Sequence, residues 1–205
     1  MVVTISRQYG SAAIAVARAL EEELGYRIVH DELPTVVATR LGISREAAER
    51  VEAGPKTLPE RILRGFSQAT PEFAPAQLNA PDIDADYVRV VEEAVREAAE
   101  IGNCIIVGRA AGRVLIDRDD VVRVLLRAPL AWRTVRVMES LGCDERAARV
   151  EIARVEEART SYEREHYGVE REDMRLYHLI VDVARFGIEG AATVIASGVR
   201  ACSHG

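Results

Sequence analysis

The chain carries five short runs dense in valine and isoleucine. They are VVTIS (residues 2–6), RIVH (27–30), CIIV (104–107), VVRVLL (121–126) and LIVDV (179–183). Strict alternation of apolar and polar positions is weak in most of them. A strand covered on one face alternates, whereas a strand buried on both faces reads as a near-continuous apolar run. The five runs therefore predict strands of a parallel sheet.

Between the runs the period lengthens to that of a helix. In residues 12–24, Ile14, Val16, Ala17 and Leu20 share one side, Glu21, Glu22 and Glu23 face away, and Gly25 supplies a stop. Residues 84–100 form an amphipathic helix opening on Asp84. Pro129 takes a first-turn position in a helix over 129–141, and Asp144 opens a long charged helix to about residue 166. Shorter helices are predicted at 34–41 and at 44–52, the second capped by Ser44, and a last one at 187–199. Residues 53–82 hold five of the seven prolines. They predict one helix, at 59–67, and then a long loop of the kind that is usually functional or mobile. Strand alternating with helix five times specifies a three-layer α/β domain with a parallel sheet. Ligands of such sheets bind beyond the carboxyl ends of the strands, so the loops after the strands are where chemistry is expected.

Composition narrows that chemistry. With 205 residues, 48% of them hydrophobic, the chain has ample material for one core. A net charge of −6 argues against general nucleic-acid binding, which usually needs a basic surface. Lys56 is the sole lysine among 27 basic residues, so any basic contact to phosphate is expected from arginine, whose planar fork pairs with phosphate bidentately. Cys104, Cys143 and Cys202 are widely spaced, form no metal-ligand pair and suggest no disulfide framework. A reduced, cytoplasmic setting is expected. There is no leader-like segment at the start and no apolar run approaching a membrane span.

The first strand runs into Arg7-Gln8-Tyr9-Gly10-Ser11-Ala12-Ala13. A Walker-type loop, G-x-x-x-x-G-K-[ST], uses glycines to turn backbone N–H groups onto a phosphate, a lysine for the terminal phosphates and a hydroxyl for magnesium. That pattern fails here. What remains is Gly10-Ser11 ahead of a helix, whose first N–H groups favour an anion. On spacing alone this is either an anion seat or an ordinary strand-to-helix turn. The third strand runs into Gly108-Arg109-Ala110-Ala111-Gly112-Arg113. Arg109 there is either aimed at the ligand edge of the sheet or paired on the surface. His30 and Asp31 end the second strand, where a substrate or magnesium contact fits. The charged helix carries Arg146, Arg149, Arg154, Arg159 and Arg164 among many glutamates. It reads either as a solvated helix laced with ion pairs or as an arginine-bearing lid over phosphates.

Taken together, five segments resemble the cytidylate kinase-like family of P-loop nucleotide kinases. They are ISRQYGS (5–11), IIVGRAA (105–111), RVLLRAPLAWRTVRVMESLG (123–142), ARTSYEREHYG (158–168) and YHLIVDVARFGIEGA (177–191), in the family's order along almost the whole chain. The resemblance implies a P-loop NTPase-type fold over residues 1–205. It would carry a helical, acceptor-binding insertion at about 32–82 and a lid at about 144–176. It also implies Mg-ATP as phosphate donor and a nucleoside monophosphate such as CMP as acceptor. Arg7, Gln8, Tyr9, Gly10, Ser11, Ala12 and Ala13 would form the phosphate loop, with Ser11 as the candidate magnesium contact. Arg109, Arg159 and Arg133 would be the catalytic arginines, and Asp31, Arg109 and Arg113 the acceptor side. Such chemistry needs two anions held in line and their charge neutralised, not a nucleophile. The alternative is a non-catalytic relative that binds a nucleotide or phosphate as a regulatory or interaction domain.

Two departures from the family pattern stand out. Where the family loop continues Gly-Gly, this chain has Ala12-Ala13; where it has Tyr-Asp-Leu, this chain has Tyr177-His178-Leu179. The alanine methyls disfavour the positive φ that glycine accepts. They either leave the N–H groups available or narrow the seat.

Overall fold

A computed structural model of the chain describes residues 1–30, 32–42 and 80–202. Five strands, β1 (Val2–Arg7), β2 (Arg27–Val29), β3 (Cys104–Val107), β4 (Val121–Arg127) and β5 (Leu179–Asp182), form one sheet in the order β2-β3-β1-β4-β5. All four pairings are parallel. The predicted fold class, α/β with a five-stranded parallel sheet, is what the chain adopts. β1 lies at the centre, flanked by β3 and β4, and Val2, Val3 and Ile5 are almost wholly buried. That is why its apolar run is continuous rather than alternating.

The helices are α1 (Ala13–Leu24), α2 (Glu32–Leu41), α3 (Ala80–Ile101), α4 (Ala111–Val114), α5 (Leu130–Leu141), α6 (Glu145–Tyr167) and α7 (Val183–Cys202). The main core joins α1 and α7 to the sheet through Val16, Leu20, Ile105, Val124, Ile195 and Val199. A smaller cluster links α5 to α6 through Val137, Ala148 and Ile152, with Tyr9 packed against it. Asp144 caps α6 by accepting from Ala147 N at 2.8 Å, and Gly168 ends it in the left-handed conformation.

The chain divides into two compact units, Met1–His30 with Val95–Gly205, and Asp31–Ala94. In the second, α2 begins two residues before the expected start, at Glu32, and α3 four residues before, at Ala80. The predicted helices at 44–52 and 59–67, and Asp31, lie outside the described residues.

Gly187, at φ 73°, ψ 176°, breaks α7 into two helical segments, and the second is the expected last helix. The first, which the sequence did not announce, opens at Val183 directly after β5, where Asp182 Oδ1 accepts from Arg185 N at 3.2 Å. The turn after β3 also forms a short helix, α4, that no apolar period announces. In the whole set of described residues no helix is long and apolar enough to cross a membrane.

Candidate functional site

The parallel register places the site. Ile5 pairs with Val107 and Arg7 with Leu126, so β1, β3 and β4 deliver their loops to one edge of the sheet. The loop after β1 is fastened at several points. Gln8 N donates to Leu126 O at 2.9 Å, and Ser11 N to Gln8 O at 3.2 Å. Gln8 Oε1 accepts from Ala128 N at 3.1 Å. Gly10, at φ +83°, presses on α5: a Cβ there would stand 2.9 Å from the Arg133 carbonyl oxygen.

The two alanines behave differently. Ala12 adopts the left-handed conformation, φ 58°, ψ 29°, and caps α1 without any side-chain hydrogen bond. Ala13 is the first helical residue and is buried. An L-residue held left-handed costs about 1–2 kcal/mol, so the loop keeps a glycine-like backbone at Ala12 against its preference. The first N–H groups of α1 have no intrahelical acceptor. Beside them the Ser11 hydroxyl is fully buried and has no hydrogen-bond partner among the described residues. A buried polar group without a partner is costly, and this one sits where a bound anion or its magnesium would satisfy it.

Residues 7–14, His30 and Arg159 line a cavity of about 190 Å³ over this loop. Sites for whole organic ligands measure about 300–1,000 Å³, so this cavity is the size for a phosphate group rather than a complete nucleotide. His30 Nδ1 lies 3.3 Å from the Val107 carbonyl oxygen, which fixes its ring at the cavity edge. The Arg159 guanidinium lies 5.6 Å from the centre of the Tyr9 ring and donates to Arg7 O at 3.3 Å. The Arg7 side chain crosses to the β3 loop, where a Cβ on Gly108 would fall 1.8 Å from Arg7 Nη1. Gly108 leaves room there for the end of the Arg7 side chain. Gly108, Arg109 and Ala110 are all left-handed, at φ 83°, 58° and 49°. Two of the three are not glycine, and such strain gathers at functional turns. Arg109 is half-buried in that turn.

Two other candidate arginines face inward. Arg133 donates from Nε to Ala128 O at 2.9 Å and from Nη1 to Tyr9 O at 3.1 Å. It braces the loop from beneath, and burial lowers its pKa. Arg113 is buried, ion-paired to Glu163 at 3.2 Å and donating to the Tyr177 hydroxyl at 2.9 Å. The same hydroxyl donates to Arg171 O at 2.7 Å.

Three charged residues that the sequence did not single out complete the arrangement. Glu163 pairs with both Arg113 and Arg171. Arg171 also pairs with Glu156 at 2.8 Å and donates to the Arg7 carbonyl. Glu156 accepts the backbone N–H of Tyr9. Residues 156, 159 and 163 lie three, four and seven apart, which sets them on one helical face. The spacing was visible in the sequence; that this charged face turns inward was not.

Comparisons with known proteins bear on the family and the fold. The model of the cytidylate kinase-like family matches residues 2–185. A cytidylate kinase from Methanopyrus kandleri is 29% identical over 207 residues, covering 97% of this chain and 93% of the relative. One from Methanothrix thermoacetophila is 27% identical over 203 residues, covering 98% and 99%. Among solved structures, an uncharacterized protein from Eubacterium ventriosum superposes with a TM-score of 0.70 at 20% identity, covering 98% of each chain. A shikimate kinase from Bacteroides thetaiotaomicron gives 0.54 at 10% identity, again covering 98% of each. At these identities the structural matches speak for the fold.

Proposed function

The chain belongs to the cytidylate kinase-like family, and from that premise we propose that it is a nucleotide kinase, passing the terminal phosphate of Mg-ATP to a nucleoside monophosphate. CMP is the first acceptor to test, because the sequence relatives named above are cytidylate kinases. The observation that carries the reading is the buried, unpartnered Ser11 hydroxyl beside the left-handed Ala12 at the start of α1. An ordinary strand-to-helix turn has no reason to bury a hydroxyl without a partner or to hold an alanine left-handed.

In this reading residues 7–13 would seat the donor phosphates, and Ser11 would help hold magnesium, which would supply positive charge against the charge that develops during transfer. Arg159, lining the cavity, supplies further positive charge to the same phosphates. Arg109 and Asp31 follow β3 and β2 and are the acceptor-side candidates. Arg133 and Arg113, being buried, act as positioning residues: Arg133 holds the Tyr9 carbonyl, and Arg113 holds Glu163. Transfer between two phosphates needs this alignment and neutralisation and no covalent intermediate.

The test is phosphoryl transfer from Mg-ATP to CMP, UMP, AMP and GMP, followed together with thermal stability. A ligand at 100 times its Kd stabilises the fold by about 2.7 kcal/mol. Arg109→Ala is expected to lower kcat/KM by about 10²-fold or more, as when one charge-stabilising donor is removed. A protein that is not stabilised by Mg-ATP overturns the reading.

A further inference from the structure

The loop already holds an anion of its own. Glu156 on α6 accepts the Tyr9 N–H with Oε1 and the Arg171 guanidinium with Oε2, the latter at 2.8 Å. Arg159 Nη1 lies 3.9 Å from the same carboxylate. A loop N–H and two guanidinium groups are the donor set that a phosphate recruits. Here one carboxylate contacts all three; Tyr9 and Arg159 line the cavity, and Arg171, which Glu163 also pairs, stands behind them. The loop N–H that Glu156 takes cannot serve a ligand at the same time.

We propose that Glu156 is an internal stand-in for a ligand phosphate, holding the Tyr9 N–H and the Arg159 and Arg171 guanidiniums in place until an incoming polyphosphate displaces it. The inference rests on the nucleotide-kinase reading and deepens it. With the stand-in seated, the arginines are ordered and their charges balanced. The cost is that the ligand competes with a tethered carboxylate, so the loop fills only at a higher polyphosphate concentration. A carboxylate that merely braced the loop would have the opposite effect, because its loss would loosen the seat and weaken binding.

The sign of the change on removing the charge decides between them. The probe is inorganic tripolyphosphate, without magnesium or acceptor, titrated by calorimetry into the full chain and into Glu156→Gln. The glutamine keeps the side chain's size. Hydrogen bonds to a charged acceptor are roughly twice as strong as neutral ones, so Glu156→Gln is expected to bind tripolyphosphate about tenfold more tightly or better. Its ligand-free melting temperature should fall, and the rise on adding tripolyphosphate should exceed that of the wild type. Glu157→Gln removes the same charge from the exposed neighbouring position, and its affinity should match wild type, which separates the contact from a general change in charge. Should Glu156→Gln fail to fold, Glu156→Asp retains the charge but shortens the reach to Tyr9 N–H and should also bind more tightly. Equal or weaker binding by these variants, with wild-type Mg-ATP turnover intact, overturns the stand-in alone. No tripolyphosphate binding by wild type or variants overturns the stand-in, and the kinase reading falls with it only where Mg-ATP also fails to stabilise the protein.

Discussion

Gly10 and Arg133 are in contact through backbone. A Cβ built on Gly10 would lie 2.9 Å from the Arg133 carbonyl oxygen and 3.1 Å from Arg133 Cβ. The Arg133 side chain meanwhile donates back to Tyr9 O. The loop is thus gripped from both ends of one residue, and neither grip can shift cheaply, because the first is main chain on a helix and the second a buried guanidinium.

Gly10→Ala should therefore be costly. It combines a left-handed φ with a steric clash against backbone, together about 2–4 kcal/mol of lost stability. Urea denaturation measures this directly. A loss under about 1 kcal/mol would show that α5 moves aside freely, contrary to the close contact described.

Glu163 joins two guanidiniums in the interior. Its partners Arg113 and Arg171 have side chains only 4% and 5% exposed. Removing one member of a buried ionic cluster leaves uncompensated charge and costs about 3–5 kcal/mol. Glu163→Gln should thus lower the urea midpoint strongly. An exposed pair on the same helix, Arg149 with Glu145, is expected to contribute under about 1 kcal/mol. If Glu163→Gln and Glu145→Gln have equal effects, the cluster is solvated rather than buried.

These residues mark where the sequence stopped being legible. The inner strands β1, β3 and β4 were readable because burial on both faces leaves a near-continuous apolar run, while the partly exposed edge strands β2 and β5 were readable from their short Val/Ile-rich runs between helical segments. The loop after β1 was readable as an anion seat only in company with the other segments. Glu156, Glu163 and Arg171 were not readable, since a helix charged on most of its surface hides which charges turn inward. Only tertiary contact decides that Arg171, beyond the end of α6, returns to the β1 loop. The turn after β3 was hidden for a different reason. Arg109 and Ala110 take the left-handed conformation without being glycine, so no residue type signals it. Gly187 was legible as a helix boundary, since its φ and ψ break α7 there, but the short helical segment that precedes it from Val183 was not.

His178, which stands where the family has an acid, gives stability a pH dependence. Its Nδ1 accepts from Arg123 N at 3.3 Å, and partial desolvation together with the Arg123 charge pushes its pKa below the usual 6.5, an effect that solvent keeps small because the residue is exposed. The unfolded chain then binds the proton at higher pH than the folded one, so acidification favours unfolding. Stability should begin to fall as pH drops through the ordinary histidine value and continue falling to the depressed folded value. His178→Gln should flatten that limb of the curve. Parallel pH profiles of urea midpoint for wild type and variant would remove His178 as the cause.

Ala12 and Ala13 make opposite predictions from the same substitution. Ala12 is held left-handed, so Ala12→Gly relieves backbone strain of about 1–2 kcal/mol. Part of that gain is offset, because glycine adds freedom to the unfolded chain. The net expectation is a stabilisation of about 0.5–1 kcal/mol. Ala13 is already helical, so Ala13→Gly relieves nothing and costs about 0.5–1 kcal/mol. The two alanines therefore separate in urea denaturation, one variant more stable than wild type and the other less. Tripolyphosphate affinity should hold or improve in Ala12→Gly, because the N–H directions at the start of α1 are kept while the strain is removed. If both variants lose stability, Ala12 is not strained in solution and the glycine-like backbone of the loop is not its resting conformation.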